Sequence, residues 1–429
     1  MRINVFLLAL FLFICVVGAQ WGPDDPDDPD DDNPQWPGDP DDDDPPSRPT
    51  PTRRPTSTRR PTPTRPTSTP NPEETEDPGD PPEPVFTGVD VFANATVYQP
   101  DDATHHLTSP RTENMPNNTI LAVWNDPAQL QSTLSLYQSS NNGFSWFSYG
   151  TAKSTVSGRK LLEPHLLFVE GSWSGDTNLT LLAVNAVDAK STNIEIYVSY
   201  DKGVTFEFVH RVAEGGAVGA KAVGEPHLLI HDKRLTVYYS DRRDTAHAQK
   251  ISQQSSTDLW GTWGTAIDVA VSNDSVTDQR NMASVAKLPN KAYILIFGAS
   301  STNATSSAVT FKITTSPENV GTELAREIIT SSGLKPQGAP FVTWSALGGV
   351  NGTIVVSDSA SNALFINQAL GEGMWKVVRT NAARAYGREV HAVPDKRALR
   401  IIGGSEGTDL SSDVMATYIN FESALGSAV

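Results

Sequence analysis

A single cysteine occurs among 429 residues. It is Cys15, inside an apolar run from Val5 to Val17 that follows Arg2 and precedes Gly18 and Ala19. That basic, apolar, small-residue order is the pattern of a secretory leader, with cleavage expected after Ala19. The mature chain then has no thiol, which excludes a disulfide scaffold, a zinc–thiolate centre and a cysteine nucleophile. Long apolar runs are as scarce. The leader's run, about 15 residues, is short for a bilayer span, and no other segment matches it, so no membrane span is expected. HExxH spacing is missing, and nothing supports a nucleotide site, a metal or any cofactor. Basic residues are few beside acidic ones, 33 against 50, for a net charge of −17, which speaks against a nucleic-acid partner.

The acidity is unevenly placed. Residues 21–84 hold 20 of the 31 prolines, 18 acids and 6 arginines, or −12 of the charge, whereas residues 85–429 carry only −6. Within the first stretch, DDPDDPDDDNPQWPGDPDDDDPP gives way to SRPTPTRRPTSTRRPTPTRPTSTP. Neither block has the apolar content to offset the entropy of ordering, and dense proline excludes helix and sheet. The expected organisation is a signal peptide over 1–19, a disordered Asp/Pro- and Arg/Pro/Thr-rich linker over 20–84, and one folded domain over 85–429. The Ser/Thr/Pro half has the composition of an O-glycosylated stalk. The protein is expected to be secreted, extracellular and associated with a cell wall. Six N-x-S/T sequons, at Asn94, Asn117, Asn178, Asn273, Asn303 and Asn351, all follow the linker and should lie on exposed loops or outer strands.

What is plentiful after residue 84 is repetition. EPHLL occurs at Glu163–Leu167 and again at Glu225–Leu229, 62 residues on. An offset pattern, S-x-D-x-G-x-T-aromatic, fits Ser199, Asp201, Gly203, Thr205 and Phe206 fully. It fits Ser139, Asn141, Gly143, Ser145 and Trp146 with conservative changes, and Ser256, Asp258, Thr262 and Trp263 in degraded form, with a weak further copy expected at Ser316. Such a turn joins two antiparallel strands: the acid accepts backbone N–H bonds, glycine supplies positive φ, and the aromatic pins the hairpin. Units of about 58 residues divide the domain into six, each the size of a four-stranded blade. Inner strands are expected to follow Arg111, Glu163, Glu225, Met282, Pro340 and Val390, which makes the fold an all-β, six-bladed β-propeller.

In a propeller the residues that begin the innermost strands surround the axial funnel. Here they are polar: Arg111, Glu163, Glu225, Arg280 and Arg388, with Tyr386 close by and a dense loop holding Asp241, Arg242 and His247. Carboxylates, arginines and a tyrosine around a funnel suit glycoside chemistry, where one acid protonates the leaving oxygen and another attacks or activates water. Glu225, Tyr386 and Glu163 are the catalytic candidates; Arg111, Asp241, Arg242, His247, Arg280 and Arg388 are the substrate-binding ones. The plainer reading is that the glutamates bond neighbouring backbone N–H groups to close blade junctions, that Asp241 and Arg242 form an ion pair, and that His247 holds its loop. Trp146 and Trp263 belong to turns and the core, while Trp124, Trp344 and Trp375 could serve as core or as sugar platforms.

These blocks resemble a known family. The Asp-box turns are those of the sialidase-like propellers (BNR repeats). The runs GEPHLLIHDKRLTVYYSDRRDTAHAQKISQQSSTDLWGTW, VAKLPNKAYILIF, NGTIVVSDSASNALFINQALGEGMW and AYGREVHAVPD are similar to the fungal family-93 glycoside hydrolases. The resemblance covers roughly residues 90 to 405 and implies a secreted six-bladed exo-α-1,5-L-arabinanase that releases arabinobiose with retention. It places the family's W-E-P-F glutamate at Glu225 and its Y-S-R tyrosine at Tyr386. The family's second glutamate, in a Y-E pair, falls where this chain reads Ile296-Phe297-Gly298-Ala299, without a carboxylate.

The functional expectation is a glycoside-hydrolase-like propeller for arabinan or a related plant or fungal wall glycan, working as a monomer on a polysaccharide or oligosaccharide. Two alternatives stand beside it. One is a non-catalytic glycan-binding propeller; the other is a sialidase, in which Arg111, Arg280 and Arg388 would clamp a carboxylate.

Overall fold

The computed structural model describes residues 90–102, 105–128, 132–173, 175–272, 277–301, 307–393, 397–404 and 413–429. The leader, the linker, and the sequons Asn273 and Asn303 lie outside the described residues. The strands form six four-stranded antiparallel blades. The first strand, β1 (Asp90–Tyr98), belongs to the last blade. Blade 1 is β2 (Thr108–Asn114), β3 (Ile120–Asn125), β4 (Thr133–Ser139) and β5 (Phe147–Lys153). Blade 2 is β6 (Lys160–Trp173), β7 (Asp176–Val187), β8 (Thr192–Ser199) and β9 (Thr205–Gly215). Blade 3 is β10 (Val223–His231), β11 (Arg234–Asp241), β12 (Lys250–Ser256) and β13 (Ile267–Ala270). Blade 4 is β14 (Gln279–Lys287), β15 (Tyr293–Ser300), β16 (Ala308–Thr314) and β17 (Arg326–Glu327). Blade 5 is β18 (Phe341–Ser345), β19 (Thr353–Ser357), β20 (Ala363–Asn367) and β21 (Lys376–Arg379). Blade 6 is β22 (Glu389–Val393), β23 (Ala398–Gly403) and β24 (Val414–Asn420), completed by β1 along β24. Blades 1 and 2 are fused into one sheet by parallel pairing of β5 with β9 at Thr151 and Thr205.

The expected inner strands are all present, and four share an irregularity that positions the site. Register slips in β2, β6, β10 and β14 where Ser109, Glu163, Glu225 and Met282 take φ near 50°. A left-handed residue in a strand is a bulge; it turns one N–H out of the ladder. The preceding blade meets it each time: Ser109 N–H bonds Tyr386 O at 3.1 Å, Glu163 N–H bonds Asn125 Oδ1 at 3.1 Å, Glu225 N–H bonds Glu163 Oε2 at 2.7 Å, and Met282 N–H bonds Glu225 Oε2 at 3.0 Å. One step further along the strands a second tier repeats the device. Leu228 N–H bonds His165 Nδ1 at 3.4 Å, Val285 N–H bonds His227 Nε2 at 3.1 Å, Val342 N–H bonds Ser284 Oγ at 3.2 Å, and Thr112 N–H bonds Glu389 Oε2 at 2.7 Å. The blade-closing duty expected of the glutamates is therefore present, whatever else they do.

At the opposite end, third strands finish on Ser139, Ser199, Ser256, Thr314, Asn367 and Asn420. Each side-chain oxygen accepts a turn N–H: Gly143 on Ser139 (2.9 Å), Gly203 on Ser199 (2.7 Å), Asp258 on Ser256 (3.4 Å), Ser316 on Thr314 (3.1 Å), Gly371 on Asn367 (2.8 Å) and Ser423 on Asn420 (3.0 Å). The weak fourth copy thus begins at Thr314, two residues before Ser316. Trp124 and Trp375 are buried, Trp124 beside Tyr98 with ring centres 5.0 Å apart. Trp344 is half-buried and donates to Asn351 O. These three are packing residues. Among the described residues, no helix is long and apolar enough to cross a membrane.

Candidate active site

The inner strands begin around a cavity of about 60 Å³ lined by Ser109, Arg111, Asn125, Glu163, Glu225, His227, Met282, Pro340 and Tyr386 among others. Glu163 and Glu225 are carried there by the bulges of neighbouring strands β6 and β10. Each uses Oε2 for structure. Glu163 Oε2 accepts from Glu225 N–H and, at 3.0 Å, from Asn185 Nδ2. Glu225 Oε2 accepts from the Ser240 hydroxyl and from Met282 N–H.

Their environments differ. Burial pushes the Glu163 carboxyl up to about 7, and the neighbouring Glu225 charge adds to it. Burial also raises Glu225, but Ser240, Met282 N–H, Arg242 and Arg111 all favour its ionised form. Burial holds the Tyr386 phenol protonated far above its ordinary range, helped by both carboxylates. Arg111 is fixed by donating Nη1 to Pro110 O (2.8 Å) and Gly387 O (2.7 Å), with its guanidinium 5.0 Å from the centre of the Phe341 ring. The cavity thus holds one carboxyl that keeps its proton towards neutrality and one better suited to carry charge.

The other predicted residues are dispersed. Asp241 is buried against Arg243, with Nη2 at 2.7 Å, and accepts from Ser252 Oγ; its ion-pair partner is Arg243 rather than Arg242. Arg242 donates Nε to Gln249 Oε1 at 2.6 Å, and its charge still reaches Glu163, Glu225 and Tyr386. His247 is half-buried in that loop, its N–H on Asp244 O. Arg280 lines a separate cavity. Arg388 is fully buried, with Nη2 on Ala363 O at 2.7 Å, and the buried charge lowers its pKa to about 10. Arg111, Arg280 and Arg388 therefore do not converge as a carboxylate clamp. Sequence reasoning missed Asn125, Asn185 and Ser240, which support the bulged residues. Their shared signal is a short polar residue at or near the C-terminal end of a second strand.

Gly298 sits opposite Asn281 in β15. A Cβ there would lie 2.3 Å from Asn281 Oδ1, 2.9 Å from Ser307 Oγ and 3.1 Å from Gly338 O. A side chain at this position needs Asn281 and Ser307 to give way and still meets the Gly338 carbonyl: Gly298→Glu is expected to lower the thermal midpoint and to add no turnover on arabinan, measured on the same preparation.

Buried titratable groups also set how stability varies with pH. Burial pushes Glu163 up to about 7 and Glu113, in β2, up to about 8, from an ordinary 4.5. Between pH 4.5 and 8 these two carboxyls thus hold more protons in the folded chain than in the unfolded one, and their contribution to stability falls as pH rises. His227 and His391 are pushed by burial from 6.5 down to about 3. Between pH 3 and 6.5 the unfolded chain holds those protons, and stability falls as pH falls. A thermal midpoint highest between about pH 4.5 and 6.5 is expected, with Glu113→Gln flattening the alkaline limb. A midpoint still rising from pH 6.5 to 8 would contradict this assignment.

No protein-family model and no curated protein matches the chain; the likeness is to solved structures. The α-L-arabinanase of Penicillium chrysogenum, solved with arabinobiose, aligns with a TM-score of 0.72 and 30% identity over 79% of this chain and 99% of its own. The family-93 α-L-arabinofuranosidase of Fusarium graminearum, also solved with arabinobiose, aligns at 0.72 and 28% identity over 78% and 99%. The chain belongs to the family-93 glycoside hydrolases. A sialidase of Streptococcus pneumoniae, NanB, shares the fold alone, at TM-score 0.55 and 10% identity over 78% of this chain and 71% of its own. The cavity at Glu225 is lined from the first strands of blades 1 to 4 and, through Pro340 and Tyr386, from the approaches to blades 5 and 6.

Proposed function

We propose that this family-93 protein is a secreted, monomeric glycosidase of α-1,5-arabinan or a related wall glycan, with Glu225 and Glu163 as its carboxylate pair. The reading is supported chiefly by one observation: two glutamates on neighbouring blades line one cavity and are held in unequal environments. Glu225, ionised, attacks the anomeric carbon. Protonated Glu163 gives its proton to the departing glycosidic oxygen as that bond breaks. Glu163 then takes a proton from the water that displaces the sugar from Glu225, restoring both groups with net retention. Arg242 and Arg111, which lines the same cavity, steady the charge at Glu225.

A second reading is favoured by Gly298 and by the small cavity: binding of arabino-oligosaccharides without turnover. One experiment separates them. Purified protein is incubated with debranched arabinan and the released sugars are quantified, while calorimetry measures arabinobiose binding. Release of short arabino-oligosaccharides supports the glycosidase. Binding without release supports the second reading, and neither signal on any arabinan probe removes both.

A further inference from the structure

The central cavity has a larger neighbour. Between blades 3 and 4 lies a cleft of about 350 Å³, within the span of ordinary ligand sites, whereas about 60 Å³ is below it. Phe297 and Ala299 of β15 and Thr310 of β16 form one wall, Ala270 and Val271 at the end of β13 the other, and Leu324 part of the loop that borders it. Leu324 is 85% exposed, an apolar side chain that nothing in the described residues covers. Lys312 closes the inner wall, with Nζ held by the carbonyls of Val269 (2.8 Å), Gly321 (3.1 Å) and Val320 (3.4 Å). That ammonium is satisfied by the protein and makes the cleft rigid.

Arg280 also lines the cleft, its guanidinium donating Nη1 to Gln279 O at 2.9 Å and lying 3.8 Å from the Asp278 carboxylate. Two residues along the same strand is Met282, which lines the central cavity and bonds Glu225. At the rise of a β-strand that separation is about 7 Å, so one strand borders both cavities. The exposed Leu324 side chain beside the Thr322 hydroxyl and the Arg280 guanidinium suits a chain of pentoses, whose C–H faces alternate with hydroxyl edges.

We infer that the cleft between blades 3 and 4 is a subsite for the distal units of a neutral oligosaccharide whose reacting end lies at Glu225, so that the protein selects long chains over short ones. This rests on the central cavity being the sugar site. The test uses the full chain carrying Glu225→Gln, to prevent turnover, and compares calorimetric affinities for α-1,5-arabinobiose and α-1,5-arabinohexaose. The hexaose is expected to bind about tenfold tighter or more, each factor of ten being about 1.4 kcal/mol. Adding Ala299→Trp, which fills the cleft, should bring the ratio to within about twofold, and Arg280→Gln should reduce it by about threefold or more, as loss of one good polar contact does. Arg280→Gln decides the matter if the tryptophan variant does not fold. Equal affinities in the parent, or a ratio unmoved by Arg280→Gln, overturn the subsite alone. Failure of the parent to bind either sugar overturns the central-cavity reading and this inference with it.

Discussion

Glu225→Gln is expected to lower turnover of debranched arabinan by about 10³-fold or more, while arabinobiose still binds. The amide keeps the shape and can still accept from the Ser240 hydroxyl and Met282 N–H through its oxygen, so the blade junction survives. What is lost is the negative charge that attacks the anomeric carbon, and removing one group of a covalent pair costs most of the acceleration. Glu163→Gln separates the two roles further. It should suppress release of natural sugars, whose poor leaving groups need a proton, by about 10²–10⁴-fold, yet leave an aryl arabinoside with an acidic phenol much less affected. Equal losses on both substrates would remove Glu163 as the acid. Full activity of Glu225→Gln would remove the pair altogether.

The second large effect concerns stability. Glu389 and Arg400 are 2% and 1% exposed at the junction of blades 6 and 1. Glu389 accepts Thr112 N–H and the Thr112 hydroxyl, and Arg400 donates Nε and Nη2 to that same hydroxyl oxygen at 3.2 and 3.0 Å and Nη1 to Asn114 Oδ1 at 3.0 Å. Thr112 thus relays one buried charge to the other. Glu389→Leu removes the carboxylate whose charge acts most strongly on Arg400 and Arg111 and leaves Thr112 N–H without an acceptor, a loss expected to cost about 3–5 kcal/mol. The midpoint of urea unfolding measures it. A loss below about 1 kcal/mol would mean that water enters the junction and takes the place of the carboxylate. Arg397 and Glu422 make the contrasting case: their bonds are 2.8 and 2.9 Å but both side chains face solvent, and Arg397→Ala should leave the midpoint where it was.

Much of this was legible because the blades repeat. EPHLL marked two of the bulged inner strands, since a glutamate that must both turn left-handed and accept the next blade's N–H leaves little room for substitution. The third-strand turns were harder. Thr314, Asn367 and Asn420 do the work of Ser139 with a different oxygen, so the hydrogen bond recurs while the letter does not. Arginines misled for a related reason. Arg111 and Arg388 begin inner strands alike, but Arg111 is turned to the axis and Arg388 to the carbonyls of Ala363 in blade 5 and Ala383 in the connection to blade 6, and strand position alone does not encode that choice. The partners of the glutamates were invisible for another cause. Asn185 and Ser240 reach them through pairing register between strands, which a linear reading does not supply.

Closure of the propeller also has a kinetic meaning. β1 finds its place only beside β24, and Asn94 N–H bonds Thr417 Oγ1 across 323 residues of sequence. At about 5–20 residues per second, the ribosome needs of the order of a quarter-minute to a minute to make that partner. Throughout that time the first strand has no ladder to join, and blade 1 waits for the Glu389 that receives its Thr112 N–H. Contacts so distant in sequence make folding slow and leave strand edges open. The step that completes the ring is thus the last the chain can take, and conditions that delay it should favour aggregation over misplaced sugar chemistry.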